Sequence, residues 1–341
     1  MTLLLKATVK LIMNPTEFRK KLVGPIVAMT THFTKDDQVD LGAMRELTEF
    51  YVQSGIPTVI ADGSTGEFAS LSEEERRQVI RTVVQTARGR MTVIAGTACP
   101  GTKLTIELTK YAEDAGADGV MITPPYYGFG GWEGLKKHYR MVAEATNIGI
   151  IVYFSGAVMH TVTNVLNKAE LMLELVEAGQ GHISGFKDAS GNFHFYRSVC
   201  KLLKDKVAVM GSNGMNYYLY GHMFGGPCFL TGLGNIWPLV ELEFDAALRR
   251  GDLKAALRIV NEKDLPYLKA AVATGTYNGA VKAMMEMAGL PGGHMRPPFL
   301  DCTAEQKEML RRVCTEIGLL SPMKPRAAAK RSAAAKPFAV A

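Results

Sequence analysis

TVIADGSTGEFASLSEEERRQVIRTVVQTARGRMTVIAG (residues 58–96) holds one complete strand–loop–helix–strand unit. The run TVIADG (58–63) is short, apolar and closed by glycine, as a buried strand is. Ser72 stands at the head of SEEERRQVIRTVVQTA (72–87), followed by Glu73, Glu74 and Glu75. A serine there can cap a helix by satisfying an orphan amide, and acids in the first turn favour the positive end of the helix dipole. A second apolar run, MTVIAG (91–96), follows.

The same unit recurs in both directions along the chain. GPIVAMT (24–30), GVMITPP (119–125), GIIVYFS (149–155), HISGFKDA (182–189), KVAVMGS (206–212) and PCFLTGL (227–233) bring the number of apolar runs to eight, and their starts lie 21 to 34 residues apart. That spacing suits a strand–helix–loop unit. Residues 40–54 and TKLTIELTKYAEDAGADG (102–119) carry helical patterns, the second ending at glycines. Eight strands nearly continuous in apolar residues need helices outside them, and closing them into a barrel leaves no open edge. The rival, a doubly wound sheet, would usually carry a glycine-rich turn after its first strand, and Thr30-Thr31-His32-Phe33-Thr34 is not one.

The pattern therefore predicts an α/β chain with a (β/α)8 barrel over residues 22–249. Residues 237–250, 252–264, 266–288 and 303–318 read as further helices, interrupted by Pro291 and the Pro297-Pro298 pair. They predict a helical extension of the same domain over 250–320. Residues 1–21 form an N-terminal extension. Residues 321–341 have little apolar bulk and read as a flexible basic tail.

Composition excludes several classes. Of 341 residues, 47% are hydrophobic and 21% charged, which marks a globule rather than a disordered chain. The net charge of +6 is carried by the two ends: +4 in residues 1–21 and +5 in 321–341, leaving −3 between them. A mildly acidic body argues against nucleic-acid binding. No stretch is long and apolar enough to span a bilayer, and MTLLLKATVKLIM (1–13) fits a weak targeting segment or part of an amphipathic helix. Five cysteines form no CxxC pattern, which suits reduced, buried thiols in a cytosolic protein. The seven histidines show no HxH or HExxH spacing, so no metal site is signalled, and no flavin or nicotinamide fingerprint is present; no cofactor is expected.

In such a barrel, function collects at the C-terminal ends of the strands. Those ends carry Gly63-Ser64-Thr65-Gly66-Glu67, Pro124-Pro125-Tyr126-Tyr127, Tyr153, and Lys187 followed by Asp188. Burial within an apolar strand disfavours the ammonium form of a lysine, and a neutral amine can attack a ketone to form a Schiff base. By position alone Lys187 also fits a lysine snorkelling outward or paired with Asp188. Tyr153 shares the parity of Ile151, which fits either a proton shuttle or core filler. The hydroxyls of Ser64 and Thr65 beside glycines fit a carboxylate-binding turn or a plain loop.

Taken in order, GSTGE (63–67), TPPYY (123–127), Tyr153, GFKDASGN (185–192) and the GG…TGLGN stretch (225–235) resemble the pyruvate-dependent class I aldolases and lyases typified by dihydrodipicolinate synthase and N-acetylneuraminate lyase. The resemblance covers about residues 22–318. It implies that Lys187 forms the Schiff base, that Tyr153 relays protons, and that Ser64 and Thr65 bind the substrate carboxylate and connect to the tyrosine. It also implies that Tyr127 is donated across a tight dimer interface into a neighbour's site, within a dimer or a tetramer of two dimers. Gly211 and Leu230 match pocket-lining positions.

This sequence departs from the synthases of that family. They carry an arginine after the tyrosine of the fifth strand to hold a carboxylate of the aldehyde substrate; here Phe154-Ser155-Gly156-Ala157-Val158-Met159-His160 follows, with Val158 at the matching position. Valine cannot replace an arginine fork without losing an ionic contact. Arg140 falls inside an expected helix rather than at a strand end. Ser64 stands where the synthases usually have threonine and Asp188 where they often have glutamate, and the stretch between Tyr153 and Lys187 is longer than usual. The expectation is a lyase acting on a 2-oxo acid such as pyruvate, either a pyruvate-releasing aldolase or a dehydratase of a 2-oxo-3-deoxy acid. The alternatives are 4-hydroxy-tetrahydrodipicolinate synthase, a metal-dependent aldolase and a non-catalytic oxo-acid-binding protein.

Overall fold

The structure is a computed structural model, and it describes residues 13–128, 130–155 and 168–320. Eight parallel strands close into a barrel in sequence order: β1 (Gly24–Ala28), β2 (Thr58–Ala61), β3 (Thr92–Gly96), β4 (Gly119–Ile122), β5 (Gly149–Ser155), β6 (Ile183–Ala189), β7 (Ala208–Gly211) and β8 (Cys228–Thr231). Closure is made by β1 against β8, with Ile26 beside Leu230. Each strand lies within one of the eight apolar runs.

Thirteen α-helices are described. They are α1 (Pro15–Lys21), α2 (Leu41–Ser54), α3 (Glu73–Ala87), α4 (Thr102–Asp114), α5 (Gly131–Ala145), α6 (Ala169–Ala178), α7 (Phe193–Leu203), α8 (Met215–His222), α9 (Pro238–Arg249), α10 (Leu253–Ile259), α11 (Leu265–Ala273), α12 (Tyr277–Met287) and α13 (Ala304–Glu316). The expected cap of α3 is a full capping box: Ser72 accepts from the Glu75 amide and the Glu75 carboxylate accepts from the Ser72 amide. α13 opens with the same device, Thr303 with Gln306. Arg140 lies exposed within α5, away from the strand ends.

Strand alternation sorts the core into two shells. Ile26, Ile60, Ile94, Met121, Ile151, Tyr153, Met210 and Leu230 point inward and fill the barrel. Their outward neighbours, among them Val59, Val93, Val152, Phe186 and Phe229, pack against the helices. The bottom of the barrel is closed by α1, whose fully buried Phe18 belongs to the inner shell. Its ring occupies space left by Gly119 and Gly149, where an added Cβ would overlap it. Thus the part of the N-terminal extension that is described serves the barrel directly.

Three helix expectations need correction. α4 stops at Asp114 instead of reaching 119, because the chain turns left-handed at Gly116 (φ 90°) and the Ala117 amide returns to the Ala112 carbonyl. The helices expected at 252–264 and 266–288 divide differently. Pro266 does not separate them, since a single π turn over Val260–Asp264 carries α10 into α11, with the Leu265 amide bonded to the Val260 carbonyl. Proline removes a donor and crowds the preceding turn, and a π turn absorbs both defects. The break falls instead at Thr274-Gly275-Thr276, where Gly275 has φ 71° and the Thr274 hydroxyl bonds back to the Ala271 carbonyl. Residues 1–12, Ser155's side chain, Val158, His160 and the tail 321–341 lie outside the described residues.

Candidate active site

A cavity of 490 Å³ opens at the C-terminal ends of the strands. Lys187 on β6 and Tyr153 on β5 sit side by side as register partners in its wall. Both are inward-facing by strand parity, and they are only 5% and 9% exposed. Lys187 Nζ lies 3.8 Å from the centre of the Tyr153 ring. Leu230 on β8 lines the same cavity.

Asp188 does not pair with this lysine. One step along β6, it faces the outer shell. There its carboxylate accepts from the Tyr217 hydroxyl at 2.6 Å and from the Ser190 amide at 2.9 Å. Burial raises its pKa from the usual carboxylate range, against these bonds. The alternation of the strand therefore sends the cation and the acid to opposite faces.

Ser64 and Thr65 reach the cavity on the loop after β2. The loop is held from three sides. The Thr31 hydroxyl donates to the Gly66 carbonyl at 2.7 Å, and Asn278 Nδ2 donates to the Ser64 carbonyl at 3.2 Å. Glu67 turns left-handed (φ 58°) and plunges inward, where it meets Lys282 of α12 at 2.5 Å in a fully buried ion pair. The loop packs closely at Gly66, where a Cβ would sit 3.1 Å from the Met29 carbonyl oxygen.

The far side of the cavity is lined by Ser212, Asn213 and Gly214 after β7, and by Asp264, Tyr267, Tyr277 and Asn278 of the C-terminal extension. Gly211 is not a lining residue. A Cβ there would point outward at the Tyr196 hydroxyl, so the glycine serves helix packing and the next residues form the wall. Below Thr231 the buried Glu241 accepts from that residue's hydroxyl and, at 2.7 Å, from the Gly234 amide; burial pushes its carboxyl up to about 8. Tyr127, in the loop after β4, is 92% exposed and outside this cavity. Among the described residues no group of three or more His, Cys, Asp or Glu is placed to hold a metal ion, and no helix is long and apolar enough to cross a membrane.

Residues 21–317 match the model of the dihydrodipicolinate synthetase family. The chain belongs to that family. It is thereby an enzyme, a class I lyase that works through a Schiff base on a 2-oxo acid. Its relatives include the 4-hydroxy-tetrahydrodipicolinate synthase of Anaeromyxobacter dehalogenans (strain 2CP-C), 33% identical over 301 residues, covering 88% of this chain and 99% of the relative. The synthase of Methanocaldococcus jannaschii is also 33% identical, over 87% of this chain and 99% of its own. Among solved structures, dihydrodipicolinate synthase from Aquifex aeolicus superposes with a TM-score of 0.79 at 29% identity, covering 87% of this chain and 98% of that one.

Within this family member, the residues that the sequence reading missed come from the C-terminal extension. Asp264 and Tyr267 belong to a helical stretch whose other buried positions are apolar, such as Ile259, Val260, Ala270 and Ala271. A buried acid and tyrosine interrupting that stripe were the only local signal. Their arrival at the barrel mouth depends on tertiary packing.

Proposed function

We propose that Lys187 forms the Schiff base with pyruvate or a longer 2-oxo-3-deoxy acid. The Nζ lone pair attacks the C2 ketone and the oxygen takes a proton from the Tyr153 phenol. The phenolate then takes a proton from the carbinolamine nitrogen and passes it to the new hydroxyl, which departs as water and leaves an iminium. The iminium accepts the electrons of the C3–C4 bond when an aldehyde departs. In a dehydratase it instead makes C3–H acidic, so that the C4 hydroxyl leaves as water. Ser64 and Thr65 hold the C1 carboxylate with hydroxyls and amides of their turn. The observation that carries this reading is a buried lysine without an acid partner among the described residues, lying over a tyrosine in a cavity shared with two hydroxyls. Incubation with pyruvate and borohydride should add a reduced adduct to Lys187 in a peptide map. An unmodified Lys187 after trials with pyruvate and several longer 2-oxo acids would overturn it.

A second reading is condensation of pyruvate with aspartate semialdehyde. The names of the 33%-identical relatives favour it. Against it, Lys187 is the only cation among the described residues lining the cavity, and the position of the synthases' arginine is Val158. Product formation from that pair, compared with pyruvate release from 2-oxo-3-deoxy acids, separates the two.

We further propose a homodimer, or a tetramer of two dimers, in which the exposed Tyr127 enters a neighbour's site. Its exposure and position beside the barrel mouth support this. Sedimentation gives the assembly state, and Tyr127→Phe should lower kcat without changing that state. Five buried free cysteines support a cytoplasmic location.

A further inference from the structure

We propose that Asp264, with the paired hydroxyls of Tyr267 and Tyr277, forms a specificity subsite that binds the hydroxyl groups on the uncharged, polyhydroxylated tail of a 2-oxo acid and rejects a tail ending in a second carboxylate. The proposal rests on the Schiff-base reading above, since it concerns the part of the substrate beyond Lys187.

Asp264 is held deliberately at the cavity. It is the last residue of the π turn between α10 and α11, and such turns often mark functional positions. Its Oδ2 accepts from the Met215 amide at 2.7 Å, at the start of α8. Gly214 leaves room for it; a Cβ there would sit 3.1 Å from Oδ2. The Asn216 amide, next in α8, also acts on the carboxylate. Oδ1 is nevertheless buried without a hydrogen bond of ordinary geometry among the described residues, and the residue is fully buried and lines the cavity. A buried carboxylate oxygen without a donor is costly, and a ligand hydroxyl supplies what is missing.

The second observation is independent of Asp264. Tyr267 and Tyr277, from two different helices, bring their hydroxyls to 3.2 Å in the same wall. Gly232 at the end of β8 makes space for them, since a Cβ would overlap both hydroxyls. Two phenols and a carboxylate offer both donors and acceptors, which is what a row of hydroxyls requires. A terminal carboxylate would instead face Asp264. Lys187, the only cation among the described lining residues, is consumed at C2.

The test needs no turnover. The concentration giving half-maximal borohydride trapping at Lys187 is measured for pyruvate, 2-oxo-3-deoxygluconate, 2-oxohexanoate and 2-oxoadipate. In the native enzyme the hydroxylated acid should require at least about tenfold less than the apolar or the dicarboxylic one. Asp264→Asn keeps an oxygen for the Met215 amide but puts a donor in place of the unpartnered oxygen. It should raise the value for the hydroxylated acid about tenfold, lower that for 2-oxoadipate, and leave that for tail-less pyruvate unchanged. Tyr277→Phe should weaken the hydroxylated acid alone, which guards against a folding defect in the first variant. Native trapping of 2-oxoadipate as readily as 2-oxo-3-deoxygluconate, or equal ratios in native and variant enzymes, would overturn the proposal. Failure to trap any acid on Lys187, pyruvate included, would overturn the assignment of the Schiff base to Lys187 instead.

Discussion

Tyr153 and Lys187 are partners across the β5–β6 ladder, and the lysine Nζ lies 3.8 Å from the centre of the phenol ring. The ladder fixes this meeting. Both side chains project from the same face at the same height, so neither needs a mobile loop to reach the other.

Tyr153→Phe keeps the ring under the lysine but removes the proton. If the phenol relays protons, kcat should fall about 10²–10⁴-fold. Slow borohydride trapping on Lys187 should persist, because the amine and its cavity remain. A kcat within about threefold of the native value would show that the ring only packs the barrel.

Phe18 closes the other end of the same interior. It is fully buried, and Gly119 and Gly149 make way for its ring. Phe18→Ala leaves a void over Gly119 and Gly149 in the inner core. Urea unfolding should show a loss of about 3–5 kcal/mol. A loss below about 1 kcal/mol would mean that α1 is not part of the cooperative barrel.

Glu241 predicts a pH dependence. Buried beneath Thr231, its carboxyl holds a proton up to about 8 in the folded chain, against an ordinary value of 4.5. The folded state therefore binds more protons than the unfolded state between those values, and this group's contribution to stability falls as pH rises through that window. Glu241→Gln keeps an acceptor for Thr231 and Gly234 without needing the proton. Its stability relative to the native enzyme should be near unchanged at pH 4.5 and increasingly favourable toward pH 8.5. Parallel stability–pH curves for the two proteins would refute the assignment.

The barrel was legible because its evidence is local. Eight apolar runs and the Ser72 cap each announce themselves within a few residues, and parity alone puts Tyr153 on the inward face of its strand. Gly211 misled because strand parity sends it outward, and only Ser212 and the turn beyond it reach the wall. Asp264, Tyr267 and Tyr277 were hidden for a different reason. They lie far along the chain from Lys187, and what brings them to it is the docking of α10–α12 over the barrel mouth. The π turn at Val260–Asp264 could not be read either, since Pro266 announces a defect in a helix but not how the helix absorbs it.

The Glu67–Lys282 pair connects that docking to the substrate loop. Glu67 ends the turn carrying Ser64 and Thr65, and Lys282 belongs to α12; both side chains are at most 1% exposed. Burial lowers the lysine's pKa and the glutamate opposes the shift. Lys282 also donates to the His294 carbonyl at 2.8 Å and lies 4.6 Å from the centre of the Phe33 ring. Removing one partner of a buried pair strands the other, so Lys282→Met should cost about 3–5 kcal/mol in urea unfolding. Glu67→Gln combined with Lys282→Met removes the stranded charge and should be more stable than the single Lys282 variant. The Lys282 variant should also raise KM for 2-oxo acids, because the loop loses its inner anchor while Lys187 and Tyr153 keep theirs. Costs that simply add across the double-mutant cycle, within about 0.5 kcal/mol, would show that the two charges do not depend on each other.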